Sequence, residues 1–223
     1  MLHPAYAKSP EHYVRAFLVL QKDLQALFDY VEPSDVNLEC HSYRIHELLL
    51  RACIEVEANC KAIMVENGHA LREHANMRDY QRIETSHALS RYEIAIPTWQ
   101  GAQKVRRPFL NWANDRAEHR LPWYHAYNLT KHNRALNFEQ ANFEHMLDAV
   151  CAVAVLLSAQ FHTEDFSNSE ALLAAGHSTD GMVTAIGGYF RVKFPDWTED
   201  ERYNFDWMQL QGDDDPFSNY NYG

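Results

Sequence analysis

The sequence predicts a mainly α protein: a helical bundle of four to five long helices with a small two-stranded β element and an aromatic, acidic C-terminal strap. Three observations carry this. Apolar residues recur at three- and four-residue steps over most of the first 161 positions, and period-two alternation is confined to two short runs. The last part of the chain loses both patterns and mixes acids with rings. With 223 residues, 46% of them apolar and 23% charged, the composition is that of a folded chain rather than a disordered or fibrous one. Two units follow: a helical domain over 1–161, and an extension over 162–223 packed on the same domain.

Ser9 and Pro10 offer a capping hydroxyl and a preset φ to a first helix, in which Tyr13, Phe17, Leu20, Leu24, Leu27 and Val31 keep helical spacing. Glu32-Pro33-Ser34-Asp35 ends it. A second helix from about Ser42 to Asn67 carries Ile45, Leu49, Ala52, Val56, Ile63 and Met64 on one face and is closed by Gly68. Glu47, Arg51, Glu55 and Asn59 form a polar ladder beside that face, with the charge signs of intrahelical pairs. A shorter third helix is expected over about Asn76 to Leu89. Tyr92, Ile94 and Ile96 alternate before Pro97, as do Phe190, Val192 and Phe194 before Pro195, so these two runs pair as strands. A short helix around Phe109 to Arg116 follows the Gly101 loop. Pro122 opens a helix of about thirteen residues, and Asn137 with Gln140 marks the start of a final helix reaching Phe161.

Net charge is −11, which excludes a surface built to coat nucleic acid or anionic lipid, so contact with an anion must be local. Cys40, Cys53, Cys60 and Cys151 lack C-x-x-C spacing, and the last three fall in apolar helical patterns, as free thiols of a cytoplasmic protein do. The N-terminus carries no secretory pattern, and the uncharged run from Ala149 to His162 is shorter than the roughly 20 residues of a membrane span, so no membrane contact is expected. His41 with His46, His69 with His74, and His125 with His132 lack metal-site spacing, and Gly-rich phosphate loops and nucleophile elbows are missing. No metal or cofactor is expected.

From Lys104 to Arg134 the chain holds Lys104, Arg106, Arg107, Arg116, Arg120, Lys131 and Arg134 against Asp115 and Glu118, interleaved with Trp112, His119, Trp123, Tyr124, His125, Tyr127 and His132. Cations among flat rings suit phosphates and bases. The alternative is a solvated face over buried aromatics. On a helical wheel Tyr124, His125, Asn128, Lys131 and His132 share one arc, with Trp123, Tyr127 and Arg134 beside it. An imidazole there is suited to take a proton from a ribose 2'-hydroxyl while a neighbouring cation stabilises charge growing on phosphorus. The catalytic candidates are therefore His132, Asn128 and Arg134; Lys131, Tyr127, His125, Arg120 and Trp123 are substrate-binding candidates. Otherwise His125 and His132 simply hydrogen-bond across a helix interface.

The segment Trp123-Tyr124-His125-Ala126-Tyr127-Asn128-Leu129-Thr130-Lys131-His132-Asn133-Arg134, with Arg51-Ala52-Cys53-Ile54-Glu55-Val56-Glu57, resembles uncharacterised bacterial helical proteins and, more distantly, the HEPN superfamily, over roughly residues 40 to 161. Tyr127 to His132 matches the superfamily's polar residue, three-residue spacing and His, with Tyr127 standing at the place of its arginine; Arg134, Lys131 or Arg120 would then supply the charge. The resemblance implies a helical homodimer acting on RNA, as a metal-independent endoribonuclease of a bacterial stress or phage-defence system with an antitoxin or defence-system partner. The alternative is a non-catalytic helical dimer that binds a nucleotide, an RNA or a partner protein. Residues 196 to 215, with eight acids against Arg202, either lie over the basic segment or complete the core.

Overall fold

A computed structural model describes residues 7–113, 120–164, 166, 180–198 and 221–222. They form the helices α1 (Pro10–Phe28), α2 (Tyr43–Glu66), α3 (Met77–Tyr80), α4 (Glu84–His87), α5 (Pro122–His132), α6 (Arg134–Asn137) and α7 (Phe143–Phe161). The strands are β1 (Glu93–Ala95), β2 (Val105–Arg106), β3 (Val183–Thr184) and β4 (Arg191–Lys193). The protein is mainly helical with a small antiparallel sheet, as the hydrophobic spacing predicts.

At the centre lies α7, buried at fourteen of its nineteen residues from Phe143 to Phe161. Length and composition alone would let this helix cross a membrane, but here it is wrapped by α2, α1, α5 and β1 as a core helix. Opposite it, α2 contributes Ile45, Leu48, Leu49, Ala52, Cys53, Val56, Cys60, Ile63 and Met64. Its start is capped as expected, the Ser42 side chain accepting from the Ile45 N–H at 3.2 Å. The polar ladder does more than pair within the helix. Arg51 reaches Asp23 of α1 at 2.5 Å and Glu47 only at 3.9 Å, while Asn59 is buried and accepts from Gln160 of α7 at 3.3 Å. Cys53, Cys60 and Cys151 are buried, and burial pushes all three thiols upward.

Several local expectations need correction. Ser9 makes no side-chain cap, because it adopts a left-handed backbone ahead of Pro10. The third helix is broken into α3, a 3-10 turn and α4: the Thr85 and Ser86 hydroxyls donate to the carbonyls of Arg82 and Ile83, and Ala88 then takes φ +47°. The final helix begins at Phe143 rather than Asn137, because the Asn142 side chain, not that of Asn137, accepts from a first-turn N–H, that of His145. The two-stranded element is four-stranded, in the order β2-β1-β4-β3. Its expected pair is present with Ile94 opposite Val192; β2 and β3 add two residues each, too few for alternation to register.

After β1 the chain turns back at Gly101, where φ is +127° and an added Cβ would collide with the Asp35 carboxylate. That carboxylate accepts from the Trp99 indole at 2.6 Å and from the Ala102 and Gln103 amides, which hold it below the usual range. Arg106 then leaves β2 for α7 and donates to Asp148 at 2.6 Å and Glu144 at 3.0 Å. Most of the acidic strap lies outside the described residues. Two anchors flank it: Trp197 under the Arg91 guanidinium, and buried Tyr222, whose hydroxyl meets Ser86 and whose carbonyl accepts from Arg82.

Arg106 is 7% exposed, and burial raises the Asp148 carboxyl against the pull of that guanidinium. Arg106→Ala would leave Asp148 buried without its counter-charge, and a loss of about 3–5 kcal/mol is expected in urea unfolding. His87, partly buried beside Ser86, is lowered by burial from 6.5 to about 4. The unfolded chain takes its proton first, so this contribution is intact above about pH 6.5 and is lost as pH falls toward about 4. Urea midpoints measured across that window should fall less steeply in His87→Gln than in wild type.

Candidate functional site

Pro122 supplies the preset φ at the first turn of α5, which runs eleven residues to His132. Its inward face is Trp123, Ala126, Tyr127 and Thr130. Trp123 is fully buried and donates its indole N–H to the Pro108 carbonyl at 2.8 Å. Phe109 stands edge-on to Trp123, and Trp112 packs against Phe109 with ring centres 4.7 Å apart. These rings wedge the 109–113 turn against α5.

The neighbouring face of α5 opens on a cavity of about 320 Å3. Tyr124, His125 and Asn128 line it from α5, Arg120 and Leu121 from just before the helix, Trp112 from the 3-10 turn, and Asn76, Met77, Arg78 and Gln81 from around α3. Both sides are fixed locally. Asn76 and Asp79 form a reciprocal capping box at α3, the Asn76 side chain accepting from the Arg78 amide at 3.0 Å. On the other side, Asn111 donates to the Arg120 carbonyl at 2.9 Å.

Among the described residues no carboxylate lines this cavity. Arg44, Arg51, Arg72, Arg106, Arg107 and Arg191 each hold an acidic partner, whereas Arg78 and Arg120 make no ion pair among the described residues. Two guanidiniums, an imidazole and three amides thus surround a space bordered by Trp112 and Tyr124. That donor set fits an anion bearing a flat ring. Groups of His, Cys, Asp and Glu able to hold a metal are absent among the described residues.

The sequence candidates divide around this cavity. Arg120, His125 and Asn128 line it. Tyr127 and Trp123 lie in the core beneath, so neither ring offers a face to a ligand. Lys131 is exposed outside the cavity, donates to the Tyr127 hydroxyl at 2.9 Å and lies 4.9 Å from that ring, a contact that raises its pKa. His132 ends α5 on the surface beyond the cavity lining. Arg134 departs from the helical wheel altogether: Asn133, at φ −145° and ψ 70°, breaks the helix, and Arg134 starts α6 with its guanidinium 5.5 Å from the Tyr43 ring. His132, Asn128 and Arg134 are therefore not brought together. Arg116 and His119 lie outside the described residues.

Sequence reasoning missed Arg78, Asn76 and Gln81. The one available signal was the capping pattern of Asn76 with Asp79, which puts Arg78 in a first helical turn but says nothing of what it faces. Tyr124 was visible on the wheel; its hydroxyl donates to Glu57 of α2 at 2.8 Å, and burial followed by that carboxylate raises its pKa.

No family model, curated protein or solved structure matches the chain.

The Tyr124–Glu57 bond ties the cavity wall to α2. Tyr124→Phe should destabilise the protein by about 1.5 kcal/mol, the usual size for a hydrogen bond to a charged group. A double-mutant cycle with Glu57→Gln should return most of that loss as coupling, read from urea midpoints.

Proposed function

We propose that the chain binds RNA or a nucleotide through the cavity between α3 and α5. The observation that carries this reading is the pair Arg78 and Arg120, which make no ion pair among the described residues and line a cavity bordered by no described acid, on a chain of net charge −11. Trp112 and Tyr124 add ring surface for a base, and Asn128, Gln81 and Asn76 add amide donors and acceptors for a sugar or base edge.

Metal-independent RNA cleavage is the second reading, and the juxtaposition of His125 and Asn128 with Arg120 favours it. There His125, not His132, takes the proton of a 2'-hydroxyl; the 2'-oxygen attacks phosphorus, the bond to the 5'-oxygen breaks, and the proton passes to that leaving oxygen. Arg120 stabilises the charge growing on the phosphoryl oxygens. The likeness of Tyr127 to His132 to the HEPN motif supports a homodimer in a bacterial stress or phage-defence setting, beside an antitoxin or defence-system partner.

Fluorescence anisotropy with labelled single-stranded RNA tests the binding reading. Arg78→Gln with Arg120→Gln should weaken binding at least tenfold and lower the slope of log affinity against log salt by about 1.4, the share of two phosphate contacts on a single strand. Unchanged affinity in the folded double variant refutes it. For cleavage, RNA is incubated with excess chelator: His125→Ala should abolish turnover and His132→Ala should spare it.

A further inference from the structure

The charge and size of the same cavity narrow its ligand, on the premise that it binds a nucleotide or RNA. We propose that it takes a nucleotide through a terminal phosphomonoester, on a strand end or a free mononucleotide, and not an internal phosphodiester.

Two observations carry this. Arg78 and Arg120 come from separate segments, the first turn of α3 and the residue two before α5, and each is held by its own backbone bond. Both line one cavity, and neither makes an ion pair among the described residues, so two cationic side chains border one ligand site. A phosphomonoester carries about 1.5 to 2 negative charges at neutral pH and three oxygens open to forked donors. An internal diester brings one charge and two such oxygens, which would leave one guanidinium without an anion.

Volume is the second. At about 320 Å3 the cavity is at the small end of ligand sites, with room for about one nucleotide. Two of its lining residues are tied to the rest of the fold. Trp112 is wedged against Phe109, and the Tyr124 hydroxyl is tied to Glu57.

Anisotropy and calorimetry at fixed salt test this with four probes: an RNA of about ten nucleotides with a 5'-phosphate, the same RNA with a 3'-phosphate, the same RNA with hydroxyls at both ends, and AMP. The expected result is at least tenfold tighter binding of one phosphorylated RNA than of the hydroxyl-ended one, a ratio that falls to about one in Arg78→Gln and in Arg120→Gln. AMP binding as tightly as the best RNA identifies a free mononucleotide as the ligand; AMP binding much more weakly identifies a strand end. Equal binding of all three RNAs, with AMP not bound, overturns the phosphomonoester while leaving RNA binding in place. No binding of any probe overturns both. Circular dichroism of each variant confirms that the fold is retained.

Discussion

Burial of α7 on every side is the constraint from which the rest of the structure follows. A helix presenting Val150, Ala152, Val153, Val155, Leu156 and Leu157 around its circumference has no face to give to water, so each other element must spend an apolar surface on it. α2 does so along its length, α1 and α5 along single stripes, and β1 at the sheet face. The charges that α7 carries near its start, on Glu144 and Asp148, cannot be turned outward without exposing that circumference; Arg106 is brought in from β2 to meet them. The sheet is thereby fastened to the helical core by an ion pair as well as by Ile94 and Val192.

The same constraint disperses the cationic stretch that stands out in the sequence. Arg106 is consumed by α7, Arg107 by Glu93, Lys131 by the Tyr127 phenol and Arg134 by the Tyr43 ring. Proximity along the chain therefore overstated the continuity of the patch. What remains is a smaller concentration of charge, in which Arg120 gains its partner from Arg78, over forty residues earlier. A linear charge sum has no means of finding that pair, since it weighs neither internal neutralisation nor approach through folding.

Long elements were legible because their periodicity extends over several turns. Ser42 to Gly68, Pro122 onward and the pairing of Ile94 with Val192 follow from spacing, caps and prolines alone. The misreadings share a cause: a decision made by one or two residues under tertiary control. Asn133 ends α5 just where the wheel needed two more positions, and Asn142 rather than Asn137 receives the capping bond because the Phe143 amide is already held by the Cys40 carbonyl at 2.7 Å. Of the candidate site, the α5 share, Arg120, His125 and Asn128, was readable from one helix. The α3 share was not, because it depends on how a broken helix packs against that one.

The two faces of α5 differ in their surroundings. Trp123 and Tyr127, taken from sequence as ligand contacts, instead lock the helix to the core, and their rigidity is what fixes the angle at which His125 and Asn128 meet the cavity. His132 lacks that support, since it is the last residue of the helix, one before the break at Asn133. Of the two imidazoles on this helix, that of His125 lines the cavity and that of His132 does not.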